Sequence, residues 1–246
     1  MLLTRGMCVA GELFSVGGNS PRRQQGLAQD IKTLYEKPCK VAEVSAAQGS
    51  LISVHVSSFF DDEFEEHAAV VAATRAELRD AFEALVDTCV ASLKDGGKLL
   101  FFGNGGSAAD AQHLATELTV RYVKNRPAIA AIALTTDSSA ITAIGNDLGF
   151  EHLFARQIEA IGKPGDVAVG ISTSGTSANV VTALKQARQQ GLSAAALTGN
   201  GGSALSGVAS PLLIVPSATT ARVQEMHILL GQMLCGAIER ELGYAD

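Results

Sequence analysis

Between residues 57 and 97, apolar side chains recur every three or four positions, which places them on one face of a helix. The apolar positions of this face are Phe64, Val71, Leu78, Phe82, Leu85 and Val86. An acidic run at 61–66 stands at the start, where the helix dipole favours negative charge. We predict a long helix with a break near Arg75, ended by the pair Gly96–Gly97.

Beyond Gly97, short apolar runs alternate with segments of helical period. The runs predicted as strands are 98–103, 128–134, 166–172, 193–199 and 211–217. The segments predicted as helices are 107–121, one starting at 138, 150–162, 177–191 and 221–242. Continuous apolar strands reached through helices are typical of an α/β fold with a parallel sheet covered on both faces. We expect a doubly wound, flavodoxin-like sheet with long N- and C-terminal helices, and ligands beyond the carboxyl ends of its strands.

Residues 1–53 differ from the rest of the chain. They contain Gly- and Pro-rich stretches and a small basic cluster at Arg22–Arg23, and they carry no chemical motif. We predict an N-terminal extension of unknown role at 1–53 and one α/β domain at 54–246.

Composition narrows the functional classes. A net charge of −6 argues against broad nucleic-acid binding. No apolar run approaches the ~18 residues that a membrane-spanning helix needs, and the N-terminus lacks a convincing signal peptide. The four cysteines have irregular spacing and form no CxxC, so we expect reduced thiols in a cytoplasmic protein.

The loop after the first predicted strand reads GNGGSAAD, residues 103–110. Its glycines do not follow the GxGxxG spacing and no Walker lysine follows, which argues against a nucleotide cofactor. Glycines allow close approach of a ligand to the backbone, and Ser107 could cap the following helix. An ordinary tight turn between strand and helix is the alternative.

A second strand-end loop, GISTSGTSAN at 170–179, is rich in hydroxyl groups. Ser172, Thr173, Ser174 and Ser177 stand at the N-terminus of a predicted helix, where free N–H groups and the helix dipole favour an anion. This combination suits a phosphate monoester, and a capping turn is the alternative. Asp137 follows another strand, where it could cap a helix or bind sugar hydroxyls.

His113 and Glu117 are four residues apart and share one helix face. Such a pair can bind a divalent metal or divide acid and base roles, and a plain surface hydrogen bond is the alternative. On the closing helix, the spacing of Gln224, His227 and Gln232 prevents all three from facing one centre equally.

Several segments together resemble the sugar isomerase (SIS) domain of bacterial phosphoheptose isomerases. The matching segments are GNGGSAADAQH, GND with the following GF, GISTSGTSAN, ALTG and ARVQEMH, from about residue 60 to the C-terminus. The resemblance implies a homotetramer with active sites shared between subunits. It further implies isomerisation of sedoheptulose 7-phosphate to D-glycero-D-manno-heptose 7-phosphate through an enediol, the first step towards nucleotide-activated heptose.

The resemblance also implies roles for residues of this chain. The phosphate would be held by Ser172, Thr173, Ser174 and Ser177. The residues Asn104, Gly105, Gly106, Ser107, Asp110, Asp137 and Gln224 would line the sugar pocket. Zinc would be bound by His113, Glu117 and Gln224, and the two catalytic positions would be Glu117 and Gln232.

Gln232 departs from the family pattern, which has a catalytic, metal-binding histidine at that position. Glutamine is a weak ligand and does not transfer protons at neutral pH. We therefore expect zinc to bind weakly or not at all, and His227 is not a relocated ligand because it matches a histidine of its own in the family. The alternative function is a non-catalytic phosphosugar-binding regulator or replication-initiator-binding adaptor, although the presence of Glu117 favours an enzyme.

Overall fold

The computed structural model describes residues 49–245, and the predicted extension at 1–53 lies almost wholly outside this range. From Val56 onward the chain forms one compact unit. The boundary predicted between residues 53 and 54 stays a prediction. Within the described range, no helix combines the length and hydropathy that a membrane crossing requires.

Strands and helices alternate along the chain after two opening helices. The helices are α1 (Gly49–Glu77), α2 (Arg79–Lys94), α3 (Gly106–Thr119), α4 (Ser138–Asp147), α5 (Ala155–Ile161), α6 (Ala178–Gln189) and α7 (Thr220–Glu241). The strands are β1 (Leu99–Gly103), β2 (Ala131–Ala133), β3 (Val167–Ser172), β4 (Ser193–Thr198) and β5 (Leu212–Ile214). Two short 3₁₀ segments lie at Phe150–His152 and Asn200–Leu205.

The described strands form one parallel sheet in the order β2-β1-β3-β4-β5. In the register, Leu99 lies opposite Ala131 on one side and opposite Val167 on the other. This strand order is the doubly wound, flavodoxin-like order, so the predicted fold class is confirmed.

Strand β1 explains why the sheet is covered on both faces. Its residues are all buried and alternate in direction, because successive side chains of a strand point to opposite faces. Leu99 and Phe101 pack into the core formed with α1, α2, α3 and α7, whereas Leu100 and Phe102 pack with α4, α5 and α6. Phe102 stacks at a tilt against Phe154, with ring centroids 5.3 Å apart.

The predicted helices are present, but some of their boundaries differ from the prediction. The break expected near Arg75 lies at Leu78, and the hydrogen bonds from Leu78 N–H to Thr74 and from Phe82 N–H to Leu78 continue across it. The predicted apolar face is buried only in part, since Leu85 and Val86 lie in the core whereas Phe64 is 62% exposed. The helix predicted at 150–162 is split by a 3₁₀ turn, and β2 and β5 are three residues long, shorter than the predicted runs.

Candidate active site

The predicted site residues gather at the carboxyl edge of the sheet. We call residues 103–106, which join the end of β1 to the start of α3, the glycine loop. We call residues 172–177, which join the end of β3 to the start of α6, the hydroxyl loop. Strands β1 and β3 are neighbours, but α3 packs on one face of the sheet and α6 on the other. A crevice opens between such loops, and ligands of doubly wound folds bind there.

The side chains of the hydroxyl loop hydrogen-bond to one another and to the loop's backbone. The Oγ atoms of Ser172 and Ser177 are 3.1 Å apart, and the N–H of Gly175 donates to Ser172 Oγ at 3.2 Å. Ser174 pairs with Thr176 at 3.0 Å, and sequence reasoning overlooked this last hydroxyl. Ser177 precedes α6 but makes no side-chain capping bond. The N–H of Val180 bonds Asn179 Oδ1, so among the first N–H groups of α6 those of Ala178 and Asn179 remain available to an anion.

The glycine loop brings the backbone close to its neighbours. Gly105 has φ +55°, a left-handed conformation that glycine adopts without strain. A Cβ at Gly106 would overlap the amide of Gln224, so a side chain there would displace α7's contact. The residue at the N-cap position of α3 is Gly105, so the expectation that Ser107 caps this helix is wrong. Ser107 lies buried in the first turn.

Asp137 caps a helix, which is one of the two roles considered for it. Its Oδ1 accepts the N–H of Ala140 at 2.9 Å at the start of α4. The side chain remains exposed next to the crevice, and its contact with sugar hydroxyls stays a prediction.

Helices α3 and α7 run side by side and bring three predicted residues together. The amide nitrogen of Gln232 lies 3.0 Å from His113 Nε2, and Glu117 Oε1 lies 3.3 Å from the same ring nitrogen. The side chains of His113 and Glu117 are 44% and 23% exposed, so a ligand can reach both.

The other polar residues of α7 face different partners. Gln224 contacts the glycine loop, whereas His227 is buried in the core with 1% of its surface exposed. The prediction that Gln224, His227 and Gln232 do not share one centre is confirmed.

Burial changes the titration of two side chains near the crevice. Burial raises the pKa of Asp110, while the charge of His113 and the hydrogen bond from Gln224 lower it. One carboxylate oxygen of Asp110, Oδ2, is buried and has no hydrogen-bond partner in the described structure. Burial lowers the pKa of His227 to about 4, so this ring is neutral at physiological pH. Its neutrality and burial fit a core residue and not a proton donor.

A buried ion pair, missed by sequence reasoning, fixes the far end of α3. Arg126 Nε lies 2.7 Å from Glu239 Oε1, and both side chains are 1% exposed. Arg126 also donates to the main-chain carbonyls of Glu117 and Leu118 at 2.9 and 2.6 Å. The pair therefore ties the turn that carries Glu117 to α7. The sequence held no clear signal for this pair, because Arg126 follows the charged residues Arg121 and Lys124, and Glu239 is followed by Arg240 and Glu241.

Comparison with known proteins agrees with this geometry. The family model described as the SIS domain matches residues 64–199. The phosphoheptose isomerase of Paramagnetospirillum magneticum is 59% identical over 183 residues, which cover 74% of this chain and 95% of that protein. One from Campylobacter jejuni is 50% identical over 179 residues, covering 73% of this chain and 96% of the relative.

A solved structure extends the agreement to three dimensions. The phosphoheptose isomerase of Neisseria gonorrhoeae superimposes with a TM-score of 0.71 at 42% identity, covering 75% of this chain and 99% of that one. Sequence, strand order and superposition agree, and the chain belongs to the SIS-domain family of phosphoheptose isomerases.

Proposed function

We propose that this chain isomerises sedoheptulose 7-phosphate to D-glycero-D-manno-heptose 7-phosphate, the first step towards nucleotide-activated heptose. The observation that carries the proposal is the hydroxyl loop at the crevice, beside the helix that holds Glu117 and His113. The activity named for relatives up to 59% identical supports the same reaction.

The residues divide the reaction into binding and proton transfer. The hydroxyl loop and the N-terminus of α6 hold the phosphate, and Asp110 and Asp137 accept hydrogen bonds from sugar hydroxyls. Glu117 takes a proton from C1 of the ketose and returns one to C2 of the enediol. The O1 hydroxyl proton moves to O2 in the same sequence, which leaves an aldehyde at C1. His113, 3.3 Å from Glu117, is placed to carry that second proton.

Zinc does not fit these side chains well. Among the described residues, no group of three His, Cys, Asp or Glu side chains is close enough to hold a metal. An amide nitrogen only donates, so the contact from Gln232 engages the lone pair of His113 Nε2 that a metal would need. The amide of Gln224 meanwhile lies against Gly106 of the glycine loop. We assign weak zinc binding or none, and the proton transfers above do not involve a metal.

The proposal includes a homotetramer whose subunits share active sites, in the cytoplasm. Glu117 lies eleven residues after Gly106, about 16 Å along α3 from the glycine loop. This separation favours a substrate that meets the hydroxyl loop of one subunit and Glu117 of another. Apolar side chains on α1 are exposed and suit a subunit contact; they are Val56, Phe59, Phe60 and Phe64. Light scattering tests the assembly.

The decisive experiment measures exchange of the C1 proton of sedoheptulose 7-phosphate in deuterated water by NMR. Wild-type protein treated with a chelator should exchange this proton and form the aldose. Glu117→Gln, which keeps the size of the side chain, should do neither. Absence of exchange in wild type, with and without added zinc, would overturn the proposal.

A second function has one observation in its favour, the amide of Gln232 beside Glu117 and His113. A phosphosugar-binding regulator or adaptor would bind sedoheptulose 7-phosphate without converting it. Calorimetric binding by wild type with no proton exchange, and turnover gained by Gln232→His, would favour this second function.

A further inference from the structure

Asn104 and Asn179 form a reciprocal amide pair across the crevice. Asn104 Nδ2 donates to Asn179 Oδ1 at 2.9 Å, and Asn179 Nδ2 donates to Asn104 Oδ1 at 2.8 Å. Asn179 is 2% exposed, and its Oδ1 also accepts the N–H of Val180 at 3.0 Å. Each amide therefore has both of its polar atoms engaged within the protein.

The amide pair joins the glycine loop to the first turn of α6, at the crevice. Asn104 belongs to the glycine loop after β1, and Asn179 is the second residue of α6, directly after the hydroxyl loop. These segments leave neighbouring strands for opposite faces of the sheet, so only contacts at the strand ends can hold them at a fixed separation. The amide pair is such a contact.

The hydrogen bonds also bear on the role predicted for Asn104 in substrate binding. A side chain whose donor and acceptor are both used by Asn179 has one remaining donor hydrogen and one remaining lone pair for a ligand. Its main effect on a phosphosugar would then be exerted through the orientation of α6, whose first N–H groups face the hydroxyl loop.

We infer that Asn179, through its pairing with Asn104, is a positioning residue that sets the phosphate-binding geometry of the crevice. It holds the N-terminus of α6 and the hydroxyl loop in register with the glycine loop before the ligand arrives. Pre-organised donors bind an anion more tightly because no ordering cost remains at binding. The inference rests on the proposed function only in taking a phosphosugar as the ligand.

The test is a double-mutant cycle on Asn104→Ala, Asn179→Ala and the double variant. Calorimetry should show each single variant binding sedoheptulose 7-phosphate and inorganic phosphate about tenfold more weakly. The double variant should be no more than about twofold weaker than either single variant, because both remove the same bonds. In turnover, KM should rise while kcat stays within about twofold. Asn125→Ala, at an exposed asparagine before β2 and outside the strand-end loops, is the matched control.

Three results would overturn the inference. They are single-variant losses that multiply in the double variant, a fall in kcat at unchanged KM, and affinities equal to wild type. If Asn179→Ala does not fold, Asn104→Ala, at the more exposed member of the pair, still gives the phosphate affinity. If the wild type binds the phosphosugar without converting it, the proposed reaction is refuted. The inference about Asn179 is then decided by the binding measurements alone.

Discussion

The hydroxyl loop and the contact between α3 and α7 make different demands on the residues that form them. The loop needs only neutral donors, and it has the hydroxyls of Ser172, Ser174 and Ser177 next to the N-terminus of α6. The helix contact needs groups that gain and lose protons, yet it pairs Glu117 and His113 with an amide.

This difference shows how one residue separates binding from chemistry. We expect a glutamine at position 232 to leave phosphate binding by the hydroxyl loop unchanged, because no hydrogen bond of the described structure joins Gln232 to that loop. The amide of Gln232 also contacts His113 Nε2, which limits metal binding there and leaves Glu117 and His113 as the groups of this contact that can transfer protons. The two regions can therefore be tested separately.

The largest expected effect is on the helix contact. Glu117→Gln should lower kcat about 1000-fold by removing the proton-transfer group, and KM should stay within about twofold because the phosphate contacts remain. Steady-state kinetics on sedoheptulose 7-phosphate measure both constants. Equal losses in kcat for Glu117→Gln and for the exposed control Glu151→Gln would contradict the assignment of proton transfer to the contact between α3 and α7.

The second prediction concerns the pH dependence of folding stability that the buried His227 of α7 should cause. The pKa of His227 is about 4 in the folded protein and 6.5 when exposed, so the unfolded chain binds the extra proton first on acidification. Stability should therefore fall by about 3 kcal/mol as the pH drops from 6.5 to 4.

Denaturant unfolding across this pH range measures the loss. His227→Gln should flatten that part of the profile, whereas the exposed His152→Gln should leave it unchanged. An unaltered profile for His227→Gln would contradict the assignment.

A third prediction restores a titratable group to the helix contact. Gln232→His should raise bound zinc from well below one ion per subunit towards one, because imidazole is a far better zinc ligand than an amide. Mass spectrometry of purified protein gives the metal content, and kcat should rise about tenfold. Gln186→His, on α6 away from the crevice, is the control. Full zinc occupancy in wild type would refute the poor fit described above.

The smallest effect is expected in the hydroxyl loop. Ser174→Ala should raise KM about tenfold with little change in kcat, since one hydrogen bond to a charged phosphate is lost. Ser193→Ala, at the exposed start of β4, should behave as wild type. A fall in kcat without a rise in KM would assign Ser174 to proton transfer and would contradict a purely phosphate-binding role for the hydroxyl loop.

Sequence reasoning reached the fold and most of the site because both depend on local patterns. The continuous apolar strands predicted a parallel sheet covered on both faces, which the structure has. One of the two roles considered for Asp137, capping a helix, is also present in the structure. Helical periodicity placed Phe64 on an apolar face without indicating whether anything covers that face, and in the structure Phe64 is exposed. Sequence reasoning missed the Asn104–Asn179 pair, whose members are 75 positions apart and joined only by strand order.

By itself, the sequence determined the order of strands and helices and the chemistry that each strand-end loop can offer. These follow from side-chain period, glycine position and the donors near a helix N-terminus, all of which are local properties. Only the tertiary structure decided which side chains meet. The contact of Gln232 with His113, the burial of His227 and the Arg126–Glu239 pair arise from α7 packing along α3. Packing selects such contacts among many that the same residues could make, and no spacing along the chain encodes that selection.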